Sequence, residues 1–543
     1  MSSNAYSNMN TGLITTNIEF HEKEDSPVIL FQDKEMIFGR IKVKSGTVPI
    51  TNQPQFLYFS LDQSGSMQDS CPDGRSKMDH ATHSIINIIK LIVKNKELNI
   101  WIQICSFDNI VDKIVDACKI DEDNFLEIIN KLKLVIPRSM TNIEMALTTA
   151  KEEIEKFKKE HDDTDNGIVF NVTHILTTDG NANCGCIDKN ILSEISDTSY
   201  NHIFIGFGLD HSVGLMNKLS SKTNTSYYFI DKIENSGLVF GEIMYKILYV
   251  CVKNMVLKNS CQNSNVEFYN YKTNEWTRSL VIDNEFTGDT EKTYNLRTLS
   301  PLDVEINIWG NTYPFITQTV SRVLNMDCYV PHLILNDQYD NNTDTDTKPT
   351  VIITDLTNDI FRQKTLELIY DSINLPKDNE YKKQLVSFLE YMKKYMEDND
   401  KTRDEMLVSL CDDIYIVIKT YGTEYGNMYA CARSRSNGRE DSYNVTDMPI
   451  TRNMAYNSLP SSSPPSSNSI PFPRYMARQT SCTYTNSKLV ATEASVLAST
   501  DDDDNDYTEY RTIMENHILN TCPLTRHVTS EVKDIMREIS NNM

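Results

Sequence analysis

From residue 56 to about 258, two hydrophobic rhythms take turns along the chain. Short apolar runs such as "FLYFSLD", "LNIWIQICSF", "GIVFNVTHILTTDG", "YNHIFIGFG" and "SYYFID" have the length and continuity of buried strands. Between them stand stretches with apolar residues at helix spacing: "DHATHSIINIIKLIVKN", a segment around 122 to 133, "NIEMALTTAKEEIEKFKKE", "KNILSEIS" and "MNKLSSKTN". Strand and helix in repeated alternation predict an α/β fold: an open, doubly wound, mostly parallel sheet with helices on both faces. The apolar stretch 237 to 257, interrupted by Glu242, Lys246 and Lys253, reads as a core helix and closes this domain, which spans 52–258.

The rhythm is different on either side. Residues 17–50 hold strand-like pieces, with Ile37, Ile41 and Val43 in alternation, and 262–320 carries four more without a helical stripe. The first segment has too few strands to stand alone, so the two are expected to pair as one β-sandwich with the α/β domain inserted between them. Residues 337–350 read as a polar linker. Residues 355–425 form a helical domain, in which Leu366, Ile369 and Ile373, then Leu385, Phe388, Leu389 and Met392, then Leu407, Leu410, Ile414 and Ile418 mark three stripes. Residues 1–16 and most of 426–543 read as disordered. The tail includes the Ser/Pro-rich stretch 458–473 and the acid run "DDDDND" at 501–506.

Charge narrows the partners. The 543 residues carry 53 Lys plus Arg against 76 Asp plus Glu, a net charge of −23. Such a surface is repelled by nucleic acid and by anionic membranes, and it favours cations. No run of about 18 apolar residues exists to insert into a bilayer, and "MSSNAYSNMNTGLITTNIEF" lacks the apolar core of a secretory signal. The 12 cysteines are scattered, apart from Cys184 and Cys186, and read as reduced thiols of a cytoplasmic protein.

Chemistry gathers where strands end. The run "LYFSLDQSGSMQDS" stops being apolar at Asp62 and then presents Ser64 and Ser66 around Gly65. "LTTDG" ends another strand at Asp179, and in "PRSMTNIEMAL" Thr141 precedes a helix that Thr141 or Asn142 would cap. Ligands of an open parallel sheet sit at the carboxyl ends of its strands. Brought together there, two carboxylates and three hydroxyls make a hard oxygen set suited to Mg²⁺ or Mn²⁺, with room for an external oxygen.

"DQSGSM", "TNIEMAL" and "TTDGNAN", in this order, resemble the metal-ion-dependent adhesion site of the von Willebrand factor A domain. The resemblance covers about 200 residues and implies the doubly wound fold. It also implies that Ser64 and Ser66 bind the metal directly, Thr141 in the ligand-engaged state, and Asp62 and Asp179 mostly through water. The Thr loop departs from the Gly-rich form common in the family: it reads "RSMT", with Arg138 near the site and Met140 stiffening the loop. The flanks resemble intracellular proteins built around this domain, some of them plant ubiquitin ligases with a RING finger. "GNMYACARSRSNGRED" resembles their C-terminal region, but no paired CxxC motif exists, so ligase activity does not carry over.

These features predict a binding module, not an enzyme: a scaffold or adaptor that captures an Asp or Glu carboxylate of a partner protein through a bound cation. Asp501, Asp502, Asp503 and Asp504 offer such carboxylates in the same chain. A hydrolase would need a base near Ser64 or Ser66, for which His80, His83 and His174 are the nearest histidines in sequence. A third reading is a structural subunit with a vestigial metal site.

Overall fold

The computed structural model describes residues 14 to 434, apart from 22–35, 313–321, 326–350 and stretches of five residues or fewer. The expected linker at 337–350, the Ser/Pro-rich stretch at 458–473 and the acid run with Asp501 to Asp504 lie outside the described residues.

The chain opens with β1 (Ile14–His21) and β2 (Ile37–Ser45). The α/β unit follows: β3 (Gln55–Asp62), α1 (Lys77–Lys94), β4 (Ile100–Phe107), β5 (Val111–Lys119), α2 (Phe125–Leu132), α3 (Ile143–His161) and β6 (Asn171–Thr178). It continues with α4 (Lys189–Ile195), β7 (Asn201–Phe207), α5 (Val213–Leu219), β8 (Thr225–Ile230) and α6 (Ser236–Leu248). Then come β9 (Val250–Asn259), β10 (Glu267–Asn270), β11 (Glu275–Thr277), β12 (Ser279–Thr287), β13 (Glu291–Thr298), β14 (Glu305–Thr312), β15 (Arg322–Asn325) and β16 (Val351–Thr354). Three helices follow: α7 (Thr357–Asn374), α8 (Asn379–Asp398) and α9 (Glu405–Lys419).

The strand order of the α/β sheet is β5-β4-β3-β6-β7-β8, parallel throughout except for the β4–β5 pair. Every residue of β3 is buried, as befits a central strand covered on both faces. Its side chains alternate: Leu57, Phe59 and Leu61 join the core under α1 and α6, while Phe56 and Tyr58 join the core under α3. Helix α1 fits its groove because Met78, Ala81, Ile85, Ile88 and Ile92 repeat at intervals of three and four. Its first turn is fixed by a reciprocal cap between Ser76 and Asp79. From β3 the chain moves outward to β4 and β5 and then returns to β6 on the other side. The carboxyl ends of β3 and β6 are therefore the topological switch point, and Leu61 pairs there with Thr177.

Two sheets lie outside this unit, with orders β11-β10-β13-β2-β1-β16 and β12-β9-β14-β15. Strand β2 pairs along its length with β13, from Ile37–Thr298 to Lys44–Glu291. Ile18, Phe20, Ile41, Val43, Val252, Leu257, Phe286 and Ile306 form one core that includes both sheets. Helices α7–α9 form a bundle that also buries Phe38 of β2. Arg40 of β2 reaches across to Asp359 of α7 at 2.8 Å, and Asn295 of β13 bonds Gln363 at 2.7 Å.

Four sequence expectations change. The stretch read as one helix from 237 to 257 divides at Leu248, because the chain from Val250 on pairs with β12 and β14 as a strand, with Met255, Leu257 and Asn259 buried in alternation. Strand β5 was not expected. It is a charged edge strand in which only Val115 is fully buried, so it carries little apolar signal. Strand β1 begins at Ile14, inside the segment expected to be disordered, because pairing from Ile14–Ser45 onward orders it. Helical residues recur at 426–434, where Tyr429 and Arg433 both bond the buried Asp413, at 2.8 Å each.

Candidate functional site

Three loops meet at the switch point, and backbone bonds tie them together. The N–H of Gly65 donates to the carbonyl of Ser139, and that of Arg138 donates to the carbonyl of Gln63. On the other side, the N–H of Thr141 donates to Asn183 Oδ1 at 2.7 Å, while the N–H of Asn183 donates back to the Thr141 carbonyl at 3.1 Å. Ser139 holds a positive φ of 61°, the left-handed turn that glycine usually supplies, so the "RSMT" loop reaches its position without one.

The five expected residues converge here. Asp62 and Asp179 are fully buried, Ser64 and Thr141 nearly so, and Ser66 is partly exposed. The N–H of Ser64 donates to Asp62 Oδ1 at 2.7 Å, and the Thr178 hydroxyl donates to Oδ2 at 2.5 Å. The Ser66 hydroxyl donates to Asp179 Oδ1 at 2.8 Å and lies 3.2 Å from Ser64 Oγ. A side chain at Gly180 would begin 3.5 Å from Thr141 Oγ1 and 3.6 Å from Ser66 Oγ, so the absent Cβ leaves a cradle between those hydroxyls. Asn142, not Thr141, caps α3 by accepting from the N–H of Met145.

Electrostatics match an oxygen site for a cation. Burial, and then the negative charge of Asp179, push the Asp62 carboxyl up to about 7, against the bonds from Thr178 and Ser64 that favour its ionised form. Both effects would be offset by a cation placed among these oxygens. Among the described residues no group of three or more His, Cys, Asp or Glu forms a metal site. The set here has two carboxylates and draws its remaining donors from hydroxyls. All five are hard oxygens and fit Mg²⁺ or Mn²⁺ better than a soft metal.

Sequence reasoning missed Lys77. Its ammonium donates to Asp179 Oδ2 at 2.7 Å, although it stands 102 residues away, and nothing in the pattern of "GRSKM" marks it. Asn183 joins the Thr and Asp loops, and nothing in "TTDGNAN" marks it for that role. The guanidinium of Arg138, on the Thr loop, pairs with Asp108 at 2.7 Å and with Asp112. His174 sits 2.9 Å from Ser60, not from Ser64 or Ser66, and its other ring nitrogen faces His202 at 3.0 Å. Cys184 and Cys186 are free thiols.

The family model described as von Willebrand factor type A domain matches residues 57–173, from β3 into β6. The α/β unit has the fold of that domain, and domains of this type are generally protein-interaction modules. Among solved structures, a von Willebrand factor type A protein from Catenulispora acidiphila is 11% identical with a TM-score of 0.46. The match covers 74% of this chain and 91% of that one. The ArnB paralog VWA2 from Sulfolobus acidocaldarius is 14% identical with a TM-score of 0.44, over 79% of this chain and 99% of that one. Proximal thread matrix protein 1 from the mussel byssus, with a zinc-occupied MIDAS motif, is 13% identical with a TM-score of 0.27, over 36% and 47%. No curated protein matches the chain. Among the described residues no helix is long and apolar enough to cross a membrane.

Proposed function

We propose that the protein is a cation-dependent protein-binding module, a scaffold or adaptor that captures an Asp or Glu side chain of a partner through a divalent ion. The observation that carries the reading is the convergence of Asp62, Ser64, Ser66, Thr141 and Asp179 at the switch point of the sheet. Ser64, Ser66 and Thr141 would hold Mg²⁺ or Mn²⁺ directly, and the two carboxylates would hold it mostly through water. The ion would supply an electrophilic position for a carboxylate oxygen. Hydroxyls in place of further carboxylates leave it short of negative charge and ready to accept one.

The rim supports a protein partner. Ile136 and Met140 on the Thr loop, and Ile187 and Ile191 after the Asp loop, are exposed on elements that leave the same edge. Large apolar side chains grouped around a polar centre are a common signature of an interaction surface. The free thiols Cys105, Cys118, Cys184 and Cys186 support placing the protein in the cytoplasm. Binding rather than catalysis is supported by the commitment of His174 to buried Ser60 and His202.

The test is retention of acidic peptides by the immobilised full chain. Retention in Mg²⁺ that is lost in EDTA and in Asp179→Ala agrees with the proposal. Equal retention in EDTA contradicts it. One observation favours a second reading, a structural subunit with a vestigial site: Lys77 already supplies Asp179 with a positive charge. Stability unaffected by either EDTA or Mg²⁺ would favour that reading.

A further inference from the structure

A cation of the chain's own stands at the site. Lys77 is the first residue of α1, and its side chain is only 9% exposed. Its backbone is held in place: the N–H donates to the Asp69 carbonyl at 3.2 Å, Ser70 bridges Ser76, and the Ser76–Asp79 cap fixes the turn. The stem is thus anchored while the ammonium lies near two carboxylates of the described residues. One is buried Asp179, at 2.7 Å; the other is Asp69, at 3.5 Å, whose side chain is 64% exposed.

The buried partner needs a positive charge. Asp62 and Asp179 both lack exposure, and a buried carboxylate is costly unless it is paired. The Lys77 ammonium on Oδ2 and the Ser66 hydroxyl on Oδ1 together occupy both oxygens of Asp179. A divalent ion entering the same oxygens would meet that ammonium at close range, where like charges in a poorly solvated site repel strongly. The two cations therefore compete for Asp179, and Asp69 offers the displaced ammonium an outward place.

We propose that Lys77 is a built-in counter-cation that neutralises Asp179 in the metal-free protein and exchanges with a divalent ion by swinging outward toward Asp69. The inference rests on the metal reading above and adds a regulation to it. The exchange sets the ion concentration at which the site fills, and the domain stays folded below that concentration.

Mn²⁺ titration of the full chain, followed by electron paramagnetic resonance, tests this with wild type and Lys77→Met. The variant is expected to bind Mn²⁺ at least about tenfold more tightly. In EDTA it should melt below wild type, and in Mn²⁺ the gap should close. Wild type that binds Mn²⁺ with Lys77→Met no tighter would overturn the exchange and leave the metal site standing. No Mn²⁺ bound by either would overturn both. A second measurement needs no variant: amine acetylation of wild type read by peptide mass spectrometry. Lys77 should react several-fold faster in Mn²⁺ than in EDTA, with exposed Lys96 as an unchanged reference. Equal reaction of Lys77 in both conditions would overturn the proposal.

Discussion

Strand β3 carries two buried polar clusters two residues apart, and they are built on opposite principles. Ser60 meets His174, and His174 meets His202, within 3.0 Å and wholly inside the domain. Burial, and then the neighbouring His202, hold His174 well below the ordinary imidazole range, so its ring is neutral between Ser60 and His202. Asp62, just beyond, belongs to a cluster that contains a second buried carboxylate, Asp179, and one ammonium. In the first cluster both ring nitrogens of His174 are hydrogen-bonded as folded. The second has more negative charge than its own residues neutralise, and it lies where loops rather than strands form the walls. Equal burial therefore has unlike meanings: in one place it encloses hydrogen-bonded neutral groups, and in the other it encloses carboxylate charge that the proposed ion would offset.

Substitutions should separate the two. The largest effect is expected from Asp62→Ala. An ion that binds only the folded state stabilises by RT ln(1 + [L]/Kd), about 2.7 kcal/mol at a hundred times Kd, and the variant should lose this gain. Urea unfolding in Mg²⁺ and in EDTA reads the difference. A wild-type-sized gain in the variant would remove Asp62 from the site. His174→Leu should cost about 1–3 kcal/mol by removing the partner of the Ser60 hydroxyl and one partner of His202, equally in Mg²⁺ and in EDTA. A cost that depended on Mg²⁺ would mean that the two clusters are coupled.

Smaller effects fall on the Thr loop. Asn142→Ala removes the α3 cap and should cost about 1 kcal/mol of stability in either condition. Thr141→Val keeps the shape and removes one neutral oxygen. It should weaken Mn²⁺ binding by about 0.5–1.5 kcal/mol and leave the EDTA melting temperature almost unchanged. A melting temperature lowered in EDTA would instead assign the Thr141 hydroxyl a structural role.

The fold of the α/β unit was legible because its signal is local. Apolar runs of strand length and helices such as α1, with stripes three and four apart, need no knowledge of the rest of the chain. Asp62, Ser64 and Ser66 were legible for the same reason: they interrupt an apolar strand at a fixed spacing. Lys77 was not. Its place on Asp179 depends on a loop that folds back and on a cap between Ser76 and Asp79, and a lysine beginning an amphipathic helix ordinarily points to water. Strand β5 was hidden because an edge strand buries too little to leave an apolar pattern. The division at Leu248 was hidden because helix α6 runs into strand β9 with no glycine or proline between them, and both are apolar. The ion pairs of Arg138 were hidden because proximity in sequence to Thr141 says nothing of Asp108 and Asp112, which reach it from the β4 end of the sheet.

The central claim is that the oxygens at the ends of β3 and β6 form one divalent-ion site. Counting the Mn²⁺ bound per full chain, in wild type and in Asp179→Asn, tests it most directly. The account predicts one tightly bound ion in wild type, lost in the variant, which removes the charge and keeps the shape. Undiminished binding in Asp179→Asn, or none in wild type, would contradict it.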